Sequence, residues 1–205
     1  MKKIAILASG GSTGGGSGFE KLVEASLRGD LGTEVSCVLS NHKNGGVFER
    51  AHRLGVRFEH FDRPWTAERC YALIGENVDL ICMSGWLKCL TGLDPIRTIN
   101  IHPGPLPDFG GAGMYGHHVH EAVMKAYREG RVTHSAVSMH FVTDEYDKGP
   151  VFFRFPIEIQ KDDTPDSLGS RVNAAEHEQQ RRLTQRVLEG SISWDGTDPN
   201  SLVIA

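Results

Sequence analysis

KIAILASGGSTGGGSGFEKLVEASLR, residues Lys3–Arg28, reads as three elements in succession. Lys3–Ala8 is an unbroken apolar run, the pattern of a strand buried on both faces of a parallel sheet. Ser9–Gly18 is a glycine-rich loop. Phe19–Arg28 has helical spacing, with Phe19, Leu22, Val23 and Leu27 expected on one side. Strand, glycine loop and helix in that order present backbone N–H groups and a helix N-terminus to an anion. Ser12, Thr13 and Ser17 add hydroxyl donors to the same loop.

Working outward, the alternation continues. Glu34–Ser40 (EVSCVLS) predicts a second strand, and Val47–Leu54 a helix ended by Gly55. Val56–Phe61 predicts a short third strand, Thr66–Glu76 a helix and Val78–Met83 another buried strand. This βαβαβαβ order implies a single-domain α/β fold, a mostly parallel twisted sheet flanked by helices on both faces. Ser84–Leu90 (SGWLKCL) leaves the carboxyl end of a strand, where open α/β sheets bind ligands.

Ile99–Pro107 (INIHPGPLP) carries the chemistry. Within the strand Thr98–His102, Asn100 and His102 are two apart and share a face, while Ile101 points the other way. Pro103, Pro105 and Pro107 end the strand. An amide and an imidazole thus lie side by side at a strand end. Further on, Ala136–Val142 and Val151–Ile159 predict an antiparallel pair joined through the acidic turn Asp144–Pro150. Tyr115–Arg128 predicts a helix. Thr164-Pro165, an N-cap followed by proline at the first helical position, opens a long helix to about Leu188. The pieces SISW and LVIA beyond Gly190 are strand-like.

Composition narrows the function classes. The chain has 205 residues, 39% hydrophobic and 23% charged, with formal net charge −4. No basic stripe suggests a nucleic-acid partner, and no apolar run is long enough to span a bilayer. Cys37, Cys70, Cys82 and Cys89 form no zinc spacing, and reduced thiols in a cytoplasmic protein are the simplest expectation. His117, His118 and His120 cluster without acidic partners at a recognisable zinc spacing, so no metal is expected.

Three motifs, Asn100-x-His102-Pro, His140-Phe-Val-Thr-x-Glu-x-Asp147-x-Gly-Pro and Glu176-His177, occur together in this order. The pattern resembles the folate-dependent formyltransferases, from the first strand to about Gly190. Within that superfamily it looks most like the enzymes that formylate glycinamide ribonucleotide in purine synthesis. The resemblance implies a Rossmann-like formyltransferase domain over residues 1–190, an antiparallel C-terminal strand pair and a tail over 191–205. It implies 10-formyltetrahydrofolate as co-substrate, no metal, and small-molecule partners (folate and a phosphorylated amine), and it is compatible with a homodimer.

Residue by residue, the resemblance makes Asn100, His102 and Asp147 catalytic. Asn100 and His102 would donate to the oxyanion of a tetrahedral intermediate. A carboxylate at Asp147 would favour the charged imidazole and collect the amine's proton, through water. Gly15, Gly16, Ser17, Gly18 and Glu176 would hold the acceptor and its phosphate, although a helix-face salt bridge, with Arg171 or a nearby basic residue, is nearly as ordinary a use for Glu176. Trp86, Leu87, Lys88, Val142, Thr143 and Asp144 would line the folate pocket, with His118 and His140 in support. His140, inside an apolar–polar alternation, also reads as a structural strand residue.

The sequence departs from the family pattern at five points. Gly10–Thr13 is an approximate insertion, and Gly18 stands where asparagine is usual. Lys88 replaces a common arginine, and Gly110–Tyr115 is enlarged. Glu178-Gln179-Gln180 replaces apolar and proline residues. The alternatives left open are formyl transfer to another amine such as a sugar nucleotide, a formyltetrahydrofolate deformylase, and a silent folate- or nucleotide-binding protein.

Overall fold

A computed structural model describes all residues, 1–205. Its seven-stranded sheet has the order β3-β2-β1-β4-β5-β6-β7. The strands are β1 (Lys3–Leu7), β2 (Glu34–Ser40), β3 (Phe58–His60), β4 (Leu80–Ser84), β5 (Thr98–His102), β6 (His134–Phe141) and β7 (Val151–Glu158). Neighbours from β3 through β5 pair in parallel, and β6 and β7 add antiparallel, as expected. The helices are α1 (Ser17–Leu27), α2 (Gly46–Leu54), α3 (Ala67–Ile74), α4 (His117–Arg128) and α5 (Pro165–Glu189). A separate pair, β8 (Ile192–Ser193) and β9 (Val203–Ile204), closes the chain antiparallel.

Period-two alternation divides the core. Ile4, Ile6, Val38, Leu80 and Cys82 join the larger cluster with α1, α2, α4 and α5. Ala5, Leu7, Cys37, Leu39, Ile81 and Met83 join the smaller one with α3, Phe61 and Trp86. Both faces of β1 and β4 are therefore apolar, which is why their sequences do not alternate. No helix is long and apolar enough to cross a membrane.

Local chemistry sets the helix ends. Gly55 caps α2 in the left-handed conformation at φ 68°. Thr164 and Ser167 form a reciprocal capping box at the start of α5, with Pro165 in its first turn. One expectation fails in α1: Leu27 is 69% exposed. The buried arc runs through Phe19, Leu22, Val23 and Ala25, and Ser26 turns inward to donate to the Thr33 carbonyl at 2.6 Å. Leu27, in the last helical position, is rotated off that arc. The segment after Gly190 also packs inward: Ile192 and Trp194 belong to the main core, and the Trp194 ring lies 5.9 Å from that of Phe141.

The chain leaves β1 toward β2 and β3 on one side, and later returns through β4 to β1's other side. The carboxyl ends of β1 and β4 thus form a topological switch point, where loops diverge and leave a crevice. Two contacts tie the diverging loops together. Ser9 N–H donates to the Gly85 carbonyl and Leu87 N–H to Ser9 Oγ, both at 2.9 Å.

Candidate active site

A cavity of about 700 Å³ opens at this crevice. Asn100, His102 and Asp147 all line it, as do Gly15–Gly18, Trp86, Leu87 and Glu176. Ile99 and Ile101 of β5 face the larger core, so the strand's period turns Asn100 and His102 to the opposite face. Across the ladder Asn100 pairs with His140 and His102 with Ser138, which places His140 beside Asn100 on that face.

His140 links the amide to the carboxylate. Its Nδ1 lies 2.8 Å from the Phe141 carbonyl, so the ring proton belongs there and Nε2 accepts from Asn100 Nδ2 at 3.1 Å. The same Nε2 is 3.4 Å from Asp147 Oδ1. His102 Nε2–H donates to the Phe109 carbonyl at 2.8 Å, and its Nδ1 faces Asp147 Oδ2 at 3.6 Å. Asp147 Oδ2 also accepts from Gly111 N–H at 2.9 Å. Asp147 is the one residue other than glycine with positive φ, 54°. Strain of this kind is held where surrounding contacts over-determine the conformation, and here the Gly111 N–H holds the carboxylate between the two imidazoles.

Burial raises the Asp147 carboxyl, but the charge that the neighbouring His140 and His102 rings carry when protonated, together with the Gly111 N–H, holds it below its ordinary value. It is a carboxylate at neutral pH. For His102 the balance goes the other way. Burial lowers its pKa and outweighs the Asp147 charge and the Phe109 carbonyl, which both raise it. The expectation of a standing imidazolium is therefore corrected: the ring is neutral in the free protein, because desolvation of a 3%-exposed histidine exceeds the attraction of a carboxylate 3.6 Å away.

The glycine loop is built into the fold. Gly11 N–H donates to the Gly14 carbonyl at 2.7 Å, closing a turn, and Gly46 N–H donates to the Gly11 carbonyl at 3.3 Å. Gly15 and Gly16 have φ of 85° and 83°, and a Cβ on Gly16 would stand 2.9 Å from Val47 Cγ2. Glycine at 16 is thus favoured both by its positive φ and by the close approach of Val47 and Phe19. Ser12 and Thr13 are exposed and outside the cavity lining, so of the three expected hydroxyls only Ser17 reaches it. Ser17 Oγ is 3.1 Å from His177 Nε2 of α5.

Glu176 is half-buried, and Asn173 Nδ2 donates to it at 3.3 Å. Burial pushes its carboxyl up to about 7, with the Asn173 bond opposing. The salt-bridge alternative is removed, because Arg171 pairs with Asp163.

The expected folate residues divide. A small cleft of about 50 Å³ beside the main cavity is lined by Trp86, Lys88, Val142, Thr143 and Asp144, and it shares Asn100 and Asp147 with that cavity. Leu87 lines only the main cavity. Trp86 is 8% exposed and stacks on Phe61 at 5.5 Å, so most of it is core; its Nε1 is buried without a partner. Lys88 Nζ lies over the Trp65 ring at 5.4 Å.

His118 is not brought to the site. It is exposed, lies outside the cavity lining and packs against Tyr115 and Glu121. The helix brings its neighbours His117, exposed, and His120, buried, to the cavity wall instead. His118→Ala should leave turnover within about twofold. His140→Ala should lower kcat at least about tenfold by freeing the Asn100 amide. Steady-state kinetics of the two variants check this contrast.

Residues not assigned to the site from the sequence also line the cavity, among them Ser84, His117, Tyr146, Asn173 and Gln180. Asn173, Glu176 and Gln180 follow the spacing i, i+3, i+7, so a helical-face reading of α5 would have found the first and last from Glu176.

A family profile described as "Formyl transferase" matches residues 2–184. The chain is 33% identical to the Arabidopsis thaliana protein named phosphoribosylglycinamide formyltransferase, chloroplastic, over 94% of this chain. It spans 68% of that protein's length and 63% of its Vigna unguiculata counterpart's. A phosphoribosylglycinamide formyltransferase of known structure from Streptococcus pneumoniae superposes with TM-score 0.72 at 31% identity, covering 93% of this chain and 98% of that one. Glycinamide ribonucleotide transformylase 1 from Symbiobacterium toebii gives TM-score 0.79 at 27% identity, covering 96% and 92%.

Proposed function

Because the chain belongs to the formyl transferase family, we propose that it transfers a formyl group from 10-formyltetrahydrofolate to the amine of glycinamide ribonucleotide. The observation that carries this reading is the convergence of Asn100, His102 and Asp147 in one cavity with a glycine loop and Glu176.

The folate co-substrate supplies an activated formyl carbon. The cleft fits a heterocycle in one respect: Trp86 Nε1, buried and unpartnered, is a donor without an acceptor at its wall. One Asn100 N–H is occupied by His140, which leaves the other for the formyl oxygen. Because His140 fixes the amide beforehand, no reorganisation is needed as charge develops there. Asp147, ionised at neutral pH, accepts the proton released by the attacking amine, through water. As the new N–C bond forms, that one proton is relayed between Asp147 and the His102 Nδ1 facing it, which offsets the negative charge on the formyl oxygen; it passes to N10 of the departing tetrahydrofolate as the formyl C–N10 bond breaks. Glu176 as carboxylate binds the amine or amide N–H groups of the acceptor, and the loop N–H groups of residues 15–18 hold its phosphate.

The reduced cysteines fit a cytoplasmic setting, and small molecules are the partners proposed. Hydrogen exchange tests the donor assignment. A non-reactive folate analogue should protect the amides of residues 84–90 and 142–146, and should bind Asp147→Asn nearly as tightly as wild type. No binding at high micromolar concentration, read by calorimetry, would remove the folate reading altogether.

A further inference from the structure

Gln180 lies in α5, 2% exposed, at the wall of the cavity nearest the glycine loop. Ser84, the last residue of β4, is also buried, and its hydroxyl donates to Gln180 Oε1 at 3.0 Å. Both residues pack beneath Gly18 in the first turn of α1. A Cβ there would collide with Ser84 Oγ and stand 3.5 Å from Gln180 Oε1. Glycine at 18 is thus what lets a buried hydroxyl–amide pair approach the helix's N-terminal backbone.

The hydrogen bond orients the amide. With Oε1 engaged by Ser84, the Nε2 group carries two N–H donors and no protein acceptor meets them. Gln180 lines the cavity, where a ligand can supply the acceptor those donors lack in the protein. Beside it, the first N–H groups of α1 have no intrahelical acceptor and bear the positive end of the helix dipole. Donors from two elements therefore converge, and none of the polar groups just named presents a negative charge.

We infer that Gln180, held by Ser84 and admitted by Gly18, donates a hydrogen bond to the phosphoryl group of the acceptor and so selects for a monophosphate ester at this end of the cavity. Ser84 is the positioning residue, acting through the Gln180 amide. This rests on the phosphorylated-acceptor reading above, but its test also has an arm that does not depend on turnover.

In Gln180→Met the KM for glycinamide ribonucleotide should rise about tenfold to a hundredfold, the range for a hydrogen bond to a charged group. Its kcat and folate KM should stay within about twofold, and its KM for the dephosphorylated acceptor should match wild type. Ser84→Ala should show the same split at about threefold, because the amide remains but loses its orientation. Gln180→Glu conserves volume, serves if Gln180→Met fails to fold, and should raise the phosphorylated acceptor's KM further by placing a carboxylate beside an anion. Ribose 5-phosphate, titrated calorimetrically against ribose, reads the same site without catalysis. Wild type should bind the phosphate ester selectively, and the Gln180 variants should lose affinity by the factor seen in KM. If wild type fails to formylate glycinamide ribonucleotide yet shows this binding pattern, the proposed function fails and the Gln180 assignment stands. An unchanged KM in a folded Gln180 variant, an equal rise for both acceptors, or no selective ribose 5-phosphate binding by wild type would overturn it.

Discussion

Asp147→Asn should lower kcat by at least about 10²-fold, and His102→Ala and Asn100→Ala should each do so as well. The asparagine is nearly isosteric, so the Gly111 N–H retains an acceptor and the left-handed turn at 147 remains allowed, since asparagine tolerates positive φ. What disappears is the negative charge 3.6 Å from His102 and 3.4 Å from His140. Without it, neither the proton of the attacking amine nor the charge developing on His102 has a counterpart. The three losses should not add: the double variants should fall little below the worse single one, because the groups act on the same transient species. Single-turnover rates with saturating folate donor, alongside circular dichroism, make the measurement. Turnover near wild type in any folded member of the set would remove that residue from the mechanism.

Glu176→Gln should be more stable than wild type at pH 8 and less active. Burial raises the Glu176 carboxyl from its ordinary 4.5 to about 7 in the folded chain. Between those values the folded state holds a proton that the unfolded state has released, so stability is lost as pH rises through this window. The full shift would correspond to about 3 kcal/mol at 1.36 kcal/mol per pH unit. Glu176 lines an open cavity that admits water, which reduces the effect to about 1–3 kcal/mol, or roughly 2–10 °C in Tm for a chain of this size. The glutamine variant carries no such penalty, and its advantage should vanish near pH 4.5. Its KM for the acceptor should rise about tenfold or more, since a carboxylate binds an amine better than an amide does. Calorimetric melts of both proteins from pH 4.5 to 8 test the sign. A variant less stable than wild type at pH 8, or a difference independent of pH, would show that Glu176 is not held at a desolvation cost. A gain in stability with a loss of binding is the pattern of a residue retained for function.

Glu176 also shows how far single-residue reading reaches. The helix carrying it was legible, since Thr164-Pro165 and Gly190 mark its ends. Its partner was not. Arg171 is five residues away in the chain, yet it turns to Asp163 at the helix start and leaves Glu176 to Asn173 and the cavity. Likewise His118 and His120 differ by two positions, and only the docking of α4 decides that His120 is buried and His118 exposed. The same docking places His117 at the cavity wall.

By itself the sequence determined the strands β2 and β5 to the residue, the glycine and threonine caps, the α/β order and the shared face of Asn100 and His102. Each follows from local rules: the two-residue period of a strand, the 3.6-residue period of a helix, and the backbone freedom of glycine or its lack in proline. Only the tertiary structure decided which strand lies beside which and in what register. That register sets His140 against Asn100. The turn after β6 then swings Asp147 back over both histidines. The neutral state of His102, the raised carboxyl of Glu176 and the Ser84–Gln180 pair under Gly18 depend on it too. Register, helix docking and desolvation arise from contacts between residues far apart in the chain, so no period within a segment encodes them.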